Sequence, residues 1–172
     1  MEHNVRLIKP CIDYKDEYLD MLTEWKETGE ELIPWVLNLD YTDFTSMVDK
    51  LNGWSHGVDL PDGYVECSAF WLINNNRLIG AIDIRHKLTE SLEFRGGHIG
   101  YGIRPSERKK GYASMMLSFA LKECKKIGLS KVLITCSKSN IGSVKTIINN
   151  GGILDSEDIS DGEIFQRYWI TL

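Results

Sequence analysis

The sequence predicts an α+β fold of six to seven strands and about four helices, organised as one domain over residues 1–172. Three stretches carry that expectation. Residues 98–126, HIGYGIRPSERKKGYASMMLSFALKECKK, run from a strand through a turn and a glycine-bearing loop into a helix. Residues 65–73 and 78–85 are strand-like runs separated by Asn74, Asn75 and Asn76, which tolerate the positive φ of a tight hairpin. Residues 131–136, KVLITC, form the short, continuous apolar run of a strand buried on both faces.

Taken in order, residues 5–9 are apolar enough for a first edge strand, which Pro10 ends because proline has no N–H to give a ladder. Residues 12–28 place Tyr18, Met21, Leu22 and Trp25 on one helical face, with Asp13 positioned to cap the start and Gly29 closing the end. Residues 30–40 make an irregular connection, and residues 42–51 form a second helix with Phe44, Met47, Val48 and Leu51 at core spacing. Residues 52–63 are rich in turn formers and long enough to cover a site; Trp54 there is either a pocket wall or a loop anchor.

After the hairpin, residues 87–97 make a longer excursion that bends at Gly96-Gly97. Ile99, Tyr101 and Ile103 then alternate with His98, Gly100 and Gly102 at the period of a strand. Beyond Ala113, residues Met116, Leu117, Ala120, Leu121 and Cys124 recur at helical spacing. A turn at Gly128 leads into KVLITC, which gives a right-handed strand–helix–strand unit. Residues 144–149 are helical, and residues 153–155 and 164–170 close the sheet around an Asp161-Gly162 turn.

Composition narrows the function. No apolar run approaches membrane-spanning length, and MEHNVRLIKP is not a signal peptide. Cys11, Cys67, Cys124 and Cys136 show neither CxxC pairing nor metal-ligand spacing, so no metal is expected and the reducing cytoplasm is the simplest setting. The net charge of −5 is unevenly spread: residues 1–66 hold 15 acidic and 5 basic side chains, residues 67–150 hold 5 and 14. A basic half suits a polyanionic cofactor and an acidic half suits a cationic acceptor such as a free amine, although solvated helix faces account for the same count. A negative chain whose basic residues cluster at one loop is a poor candidate for binding nucleic acid.

That loop is Arg108-Lys109-Lys110-Gly111-Tyr112-Ala113, at the start of the central helix. The first N–H groups of a helix have no intrahelical partner, and the macrodipole puts partial positive charge there. Gly111 lacks the Cβ that would block close approach, Ala113 keeps the first turn slim, and three basic side chains surround the spot. The combination is a cradle for a phosphate or pyrophosphate. No Gly-Lys-Ser/Thr follows the glycine, and no three-glycine dinucleotide fingerprint is present.

Ile103-x-Pro105-x-x-Arg108-x-x-Gly111-x-Ala113 resembles the Arg-x-x-Gly-x-Gly/Ala signature of the GNAT superfamily of N-acetyltransferases. The Gly-Tyr-Ala ending is most similar to a branch that includes enzymes acting on protein N-termini and on polyamines. Downstream, Asn140-Ile141-Gly142-Ser143, a helix and Gly151 resemble the family's second motif. The resemblance covers residues 65–172 well and residues 1–64 in outline. It implies a mixed, mostly antiparallel sheet whose two central strands splay apart to admit the pantetheine arm. The cofactor is then acetyl-CoA, as acyl donor, held by Tyr101, Ile103, Arg108, Lys109, Lys110, Gly111, Tyr112, Ala113, Asn140 and Ser143.

The implied reaction is direct acetyl transfer to a primary amine of a small molecule or a protein N-terminus; a homodimer is allowed for. The alternative is a non-catalytic acyl-CoA-binding module of the same fold. A backbone N–H near Tyr101 to Ile103 would serve as oxyanion donor, with Gly100 and Gly102 permitting close approach of a ligand. For the base, His98 has a suitable intrinsic pKa, with His86 and Glu66 as rivals. The family's thiolate-protonating tyrosine sits seven residues after the asparagine, a position held here by Ile147. Tyr101, Tyr168, Ser143 or water would have to replace it.

Overall fold

A computed structural model describes residues 4–172, and its seven strands fall into two antiparallel sheets. The first has the order β1 (Val5–Ile8), β2 (Cys67–Asn74), β3 (Arg77–Arg85) and β4 (Ile99–Ile103). The second has β7 (Glu163–Thr171) between β5 (Lys131–Ser137) and β6 (Ile153–Ser160). Five helices accompany them: α1 (Lys15–Glu27), α2 (Phe44–Trp54), α3 (Glu90–Phe94), α4 (Tyr112–Lys126) and α5 (Ile141–Asn149).

The expected splay is the boundary between the sheets. At one end His98 N–H donates to Leu133 O at 2.7 Å, Leu133 N–H donates to His98 Nδ1 at 2.9 Å, and Gly97 forms a bridge with Ile134. Beyond that apex β4 and β5 share no ladder. The strand–helix–strand unit therefore links two sheets across a gap rather than two neighbours in one sheet.

Local chemistry explains most boundaries. Asn75 and Asn76 take φ of 47° and 67° in the β2–β3 hairpin, the left-handed conformation asparagine accepts most readily. Asp43 caps α2, its Oδ1 accepting from Ser46 N–H at 3.0 Å. Asp13 caps nothing: residues Ile12–Tyr14 form a 3-10 turn, and α1 starts after it with Tyr14 as an unassisted N-cap. α2 runs on to Trp54, into the expected loop, because that ring is fully buried and its Nε1–H donates to Asp59 O at 3.1 Å.

One core lies between α1, α2 and the first sheet, built on Tyr18, Met21, Trp25, Met47, Leu51 and Trp71. The other joins both sheets to α4 and α5 through Leu72, Ile82, Met116, Leu117, Val132 and Ile147. Each such side chain contributes about 1.5–3 kcal/mol on burial. The two charged halves meet between α1 and the segment after β4. Arg104 is almost wholly buried and pairs with Glu24 at 2.5 Å, Glu17 at 3.5 Å and Asp20, while Arg108 reaches Glu30 at 2.7 Å. Four of the fifteen carboxylates of the acidic half thus answer arginines of the basic half within the chain.

Candidate active site

The register of β3 and β4 decides which backbone groups face the gap. Gly100 and Gly102 lie opposite Asp83 and Ala81. Arg85 N–H donates to His98 O, and Arg104 N–H donates to Ile79 O, so the even-numbered residues of β4 turn their polar groups toward β3. Ile99, Tyr101 and Ile103 turn theirs the other way, toward the gap. Buried backbone N–H groups require partners, and past the apex no strand supplies them.

α4 starts at the same end of the gap. Its N-cap, Gly111, has φ 84° and supplies no side-chain cap, and a Cβ there would meet open space. Fifteen residues of helix therefore open on unpartnered N–H groups at Tyr112, Ala113 and Ser114. Lys109 stands beside them at φ 61°, and Lys110 pairs with Glu107 at 2.9 Å. Arg108 is turned elsewhere. Its Nε–H donates to Ile103 O at 3.0 Å, its guanidinium holds Glu30, and it lies 5.2 Å from the centre of the Trp25 ring. The loop's unpartnered donors are therefore its helix N–H groups, with Lys109 and Lys110 beside them and Arg108 stapling the loop to α1's far end.

Across the gap, Asn140 caps α5 by accepting from Ser143 N–H at 3.1 Å. Ser143 Oγ lies 2.8 Å from the Tyr101 hydroxyl, tying β4 to α5. Burial pushes that hydroxyl up to about 12, with the Ser143 hydrogen bond opposing, so Tyr101 keeps its proton at neutral pH. Tyr168 is buried, donates to Gln166 Oε1 at 2.6 Å, and is likewise shifted up by burial. Its proton is committed. Ile147 is fully buried and packs under Gly152.

The histidines are equally occupied. His98 is 6% exposed, its Nδ1 takes the Leu133 proton, and burial followed by the Arg85 charge lowers it from an ordinary value of 6.5 to about 4. It is a structural clasp at the apex, not a free base. Because its folded pKa is depressed, its stabilising contribution is present above pH 6.5 and is lost as pH falls toward 4. Replacing it with glutamine, which keeps an acceptor for Leu133, should reduce the drop in urea-unfolding stability between pH 7.5 and pH 5 by about 1–2 kcal/mol. An unchanged pH slope would show that His98 titrates normally. His86 Nε2 lies 2.8 Å from Ser68 Oγ and its Nδ1 lies 3.7 Å from Glu66 Oε2. Burial lowers its pKa, Glu66 opposing. Neither His86 nor Glu66 borders the cavity walled by Trp35 and Trp54.

The missing Cβ atoms of Gly100 and Gly102 serve a packing purpose the sequence did not disclose. A Cβ on Gly102 would strike Ile33 O and lie 2.5 Å from Trp25, and one on Gly100 would lie 2.7 Å from Asp83 Oδ1 and 3.4 Å from Pro34. What approaches these glycines is the segment carrying Ile33, Pro34 and Trp35. That segment walls a cavity of about 360 Å³ bordered by Trp35, Trp54, Tyr64, Asp83, Arg85 and Arg95. Trp54 is thus both loop anchor and pocket wall. The other five were not singled out in the sequence: an acidic residue in a strand and aromatics in irregular segments carry no periodic signal.

Comparison with known proteins bears on family and fold. A family model described as an acetyltransferase (GNAT) domain matches residues 5–152. No curated protein sequence matches the chain. Among solved structures, the microcin self-immunity acetyltransferase MccE, in complex with acetyl-CoA and AMP, superposes with a TM-score of 0.70 at 14% identity, covering 100% of this chain and 94% of that one. RimL, a ribosomal alpha-N-protein acetyltransferase in complex with coenzyme A, gives 0.71 at 13% identity over 98% and 94%. Mycobacterium smegmatis RimJ with CoA-disulfide gives 0.69 at 17% identity over 97% and 81%. At these identities the likeness is one of fold.

Proposed function

Because this chain belongs to the GNAT acetyltransferase family, we propose that it transfers an acetyl group from acetyl-CoA to a primary amine by direct attack. The amine belongs to a small molecule or a protein N-terminus. The observation that carries the reading is the unpaired edge of β4 running beside the uncapped start of α4. A polyanion needs the second and an acyl-amide arm the first. MccE with acetyl-CoA and RimL with coenzyme A support the donor, and RimL's protein N-terminal chemistry supports the acceptor.

In this reading Tyr112, Ala113 and Ser114 N–H groups with Lys109 and Lys110 hold the pyrophosphate. Tyr101 and Ile103 N–H groups pair with the pantetheine and face the thioester oxygen, where a backbone donor stabilises developing negative charge. Asn140 and Ser143 flank the arm from the other side. Tyr101 takes the place left by Ile147: its hydroxyl, still protonated and linked to Ser143, supplies a proton to the departing thiolate.

Thiol release should require acetyl-CoA together with a free primary amine, and should vanish when that amine is already acetylated. Tyr101→Phe should lower turnover by roughly 10²-fold while acetyl-CoA affinity stays near wild type. Binding of acetyl-CoA without thiol release across aromatic, aliphatic and peptide amines would instead favour the acyl-CoA-binding module, for which the buried Ile147 is the specific argument.

A further inference from the structure

The cavity between the Ile33–Trp35 segment and the first sheet contains a carboxylate that the donor site does not use. Asp83 is 3% exposed, borders the cavity and lies opposite Gly100, one residue from Tyr101. Its Oδ2 makes a loose pair with Arg85 at 3.4 Å. Its Oδ1 accepts no hydrogen bond among the described residues, although the N–H groups of Asp83 and Gly100 lie near the carboxylate. A buried carboxylate with so little compensation is costly and marks a place where a partner is missing.

The aromatic part of the same lining says what kind of partner. The Trp35 and Tyr64 rings are each nearly half exposed, stand 5.3 Å apart, and back onto the buried Trp54. Aromatic faces beside a carboxylate form an environment for an organic cation. Resting on the acetyl-transfer reading above, we infer that Asp83 receives the ammonium of the acceptor and takes its proton, and that the aromatic wall selects a primary amine borne on an aromatic or bulky apolar group.

The proton and electron count closes. The first ammonium proton passes to the Asp83 carboxylate and from there to solvent through the cavity. The freed nitrogen lone pair forms the C–N bond at the acetyl carbon, and the C–S bond breaks with its electron pair left on sulfur. The nitrogen's second proton is lost after attack and balances the one taken up by the thiolate, so each turnover releases one proton overall. Burial raises the Asp83 pKa above the usual aspartate range, with the Arg85 charge opposing, which makes it a stronger base than an exposed carboxylate. The other groups around it are Arg95, which lines the same cavity, and the Cys67 thiol on β2, pushed up to about 12 by burial and by Asp83 itself, while His98, which feels the Arg85 charge, is neutral. Arg85 alone is both charged and paired with it.

The test measures thiol release with 2-phenylethylamine and with propylamine across pH 5–9, and acetyl-CoA affinity by calorimetry, for wild type, Asp83→Asn and Trp35→Ala. Wild type should prefer 2-phenylethylamine by at least tenfold in kcat/KM. Trp35→Ala, at an exposed ring, should erase that preference. Asp83→Asn should lower kcat by roughly 10²–10⁴-fold, flatten the acidic limb of the rate profile and leave acetyl-CoA affinity unchanged. Equal use of both amines, or a full rate with an unchanged pH profile in Asp83→Asn, overturns the inference while leaving the donor site standing. If wild type fails to bind acetyl-CoA, both readings fall. Should Asp83→Asn not fold, the amine preference and its loss in Trp35→Ala decide the outcome.

Discussion

Gly111→Val should abolish useful acetyl-CoA binding while the protein remains folded. A side chain at this position meets no atom within 4 Å, so the substitution creates no clash in the free protein. It does force a β-branched residue to φ 84°, which costs about 1–2 kcal/mol. The ligand pays far more. The new side chain stands where the N–H groups of Tyr112 and Ala113 must be approached, and losing two hydrogen bonds to a charged oxygen at about 1.5–3 kcal/mol each corresponds to at least roughly 10²-fold in affinity. Calorimetry with acetyl-CoA and a thermal melt on the same sample separate the two effects. Wild-type affinity in the variant would remove the pyrophosphate from this loop.

Gly102→Ala should do the reverse, damaging the fold first. The added Cβ would overlap Ile33 O and press on Trp25, and a backbone carbonyl backed by Pro34 has little freedom to retreat. Overpacking of this kind costs about 3 kcal/mol or more. For a chain of this length that is a fall of about 6–12 °C in Tm. Displacing the segment also moves Trp35, so the amine preference should weaken in whatever fraction stays folded. A melt indistinguishable from wild type would mean that the segment is not seated against β4 in solution.

The proposed donor side of the site is legible in the sequence. Anion binding at a helix start is a local property: it needs a strand that stops, a glycine and an uncapped first turn, and these are consecutive in residues 98–113. Asn140 at its helix start and Ile147 in the tyrosine slot are legible for the same reason, since spacing within one helix is fixed by its period. The sequence predicts β6 only over residues 153–155, whereas the strand runs to Ser160. Its polar run Asp155, Ser156, Glu157 and Asp158 has no apolar alternation, because an edge strand with both faces open to water needs none.

The acceptor side was decided by tertiary structure alone. His98 had the right chemistry for a base on paper, and only its place at the β4–β5 apex, between Leu133 and the Trp169 ring, shows its nitrogen already in use. Arg108 matched its motif position, yet its charge is met by Glu30, 78 residues earlier. Asp83 and Trp35 are 48 residues apart and line one cavity because β3 pairs with β4 while the α1–α2 connection packs over Gly100 and Gly102 of β4. The sequence by itself determined the family, the order of the seven strands and the loop proposed for the pyrophosphate, but not the short helix α3, since the first three depend on neighbours in the chain. Which carboxylate lies buried beside the gap depends on side chains from distant segments and on how many partners each finds there. Those are settled only when the sheets pack.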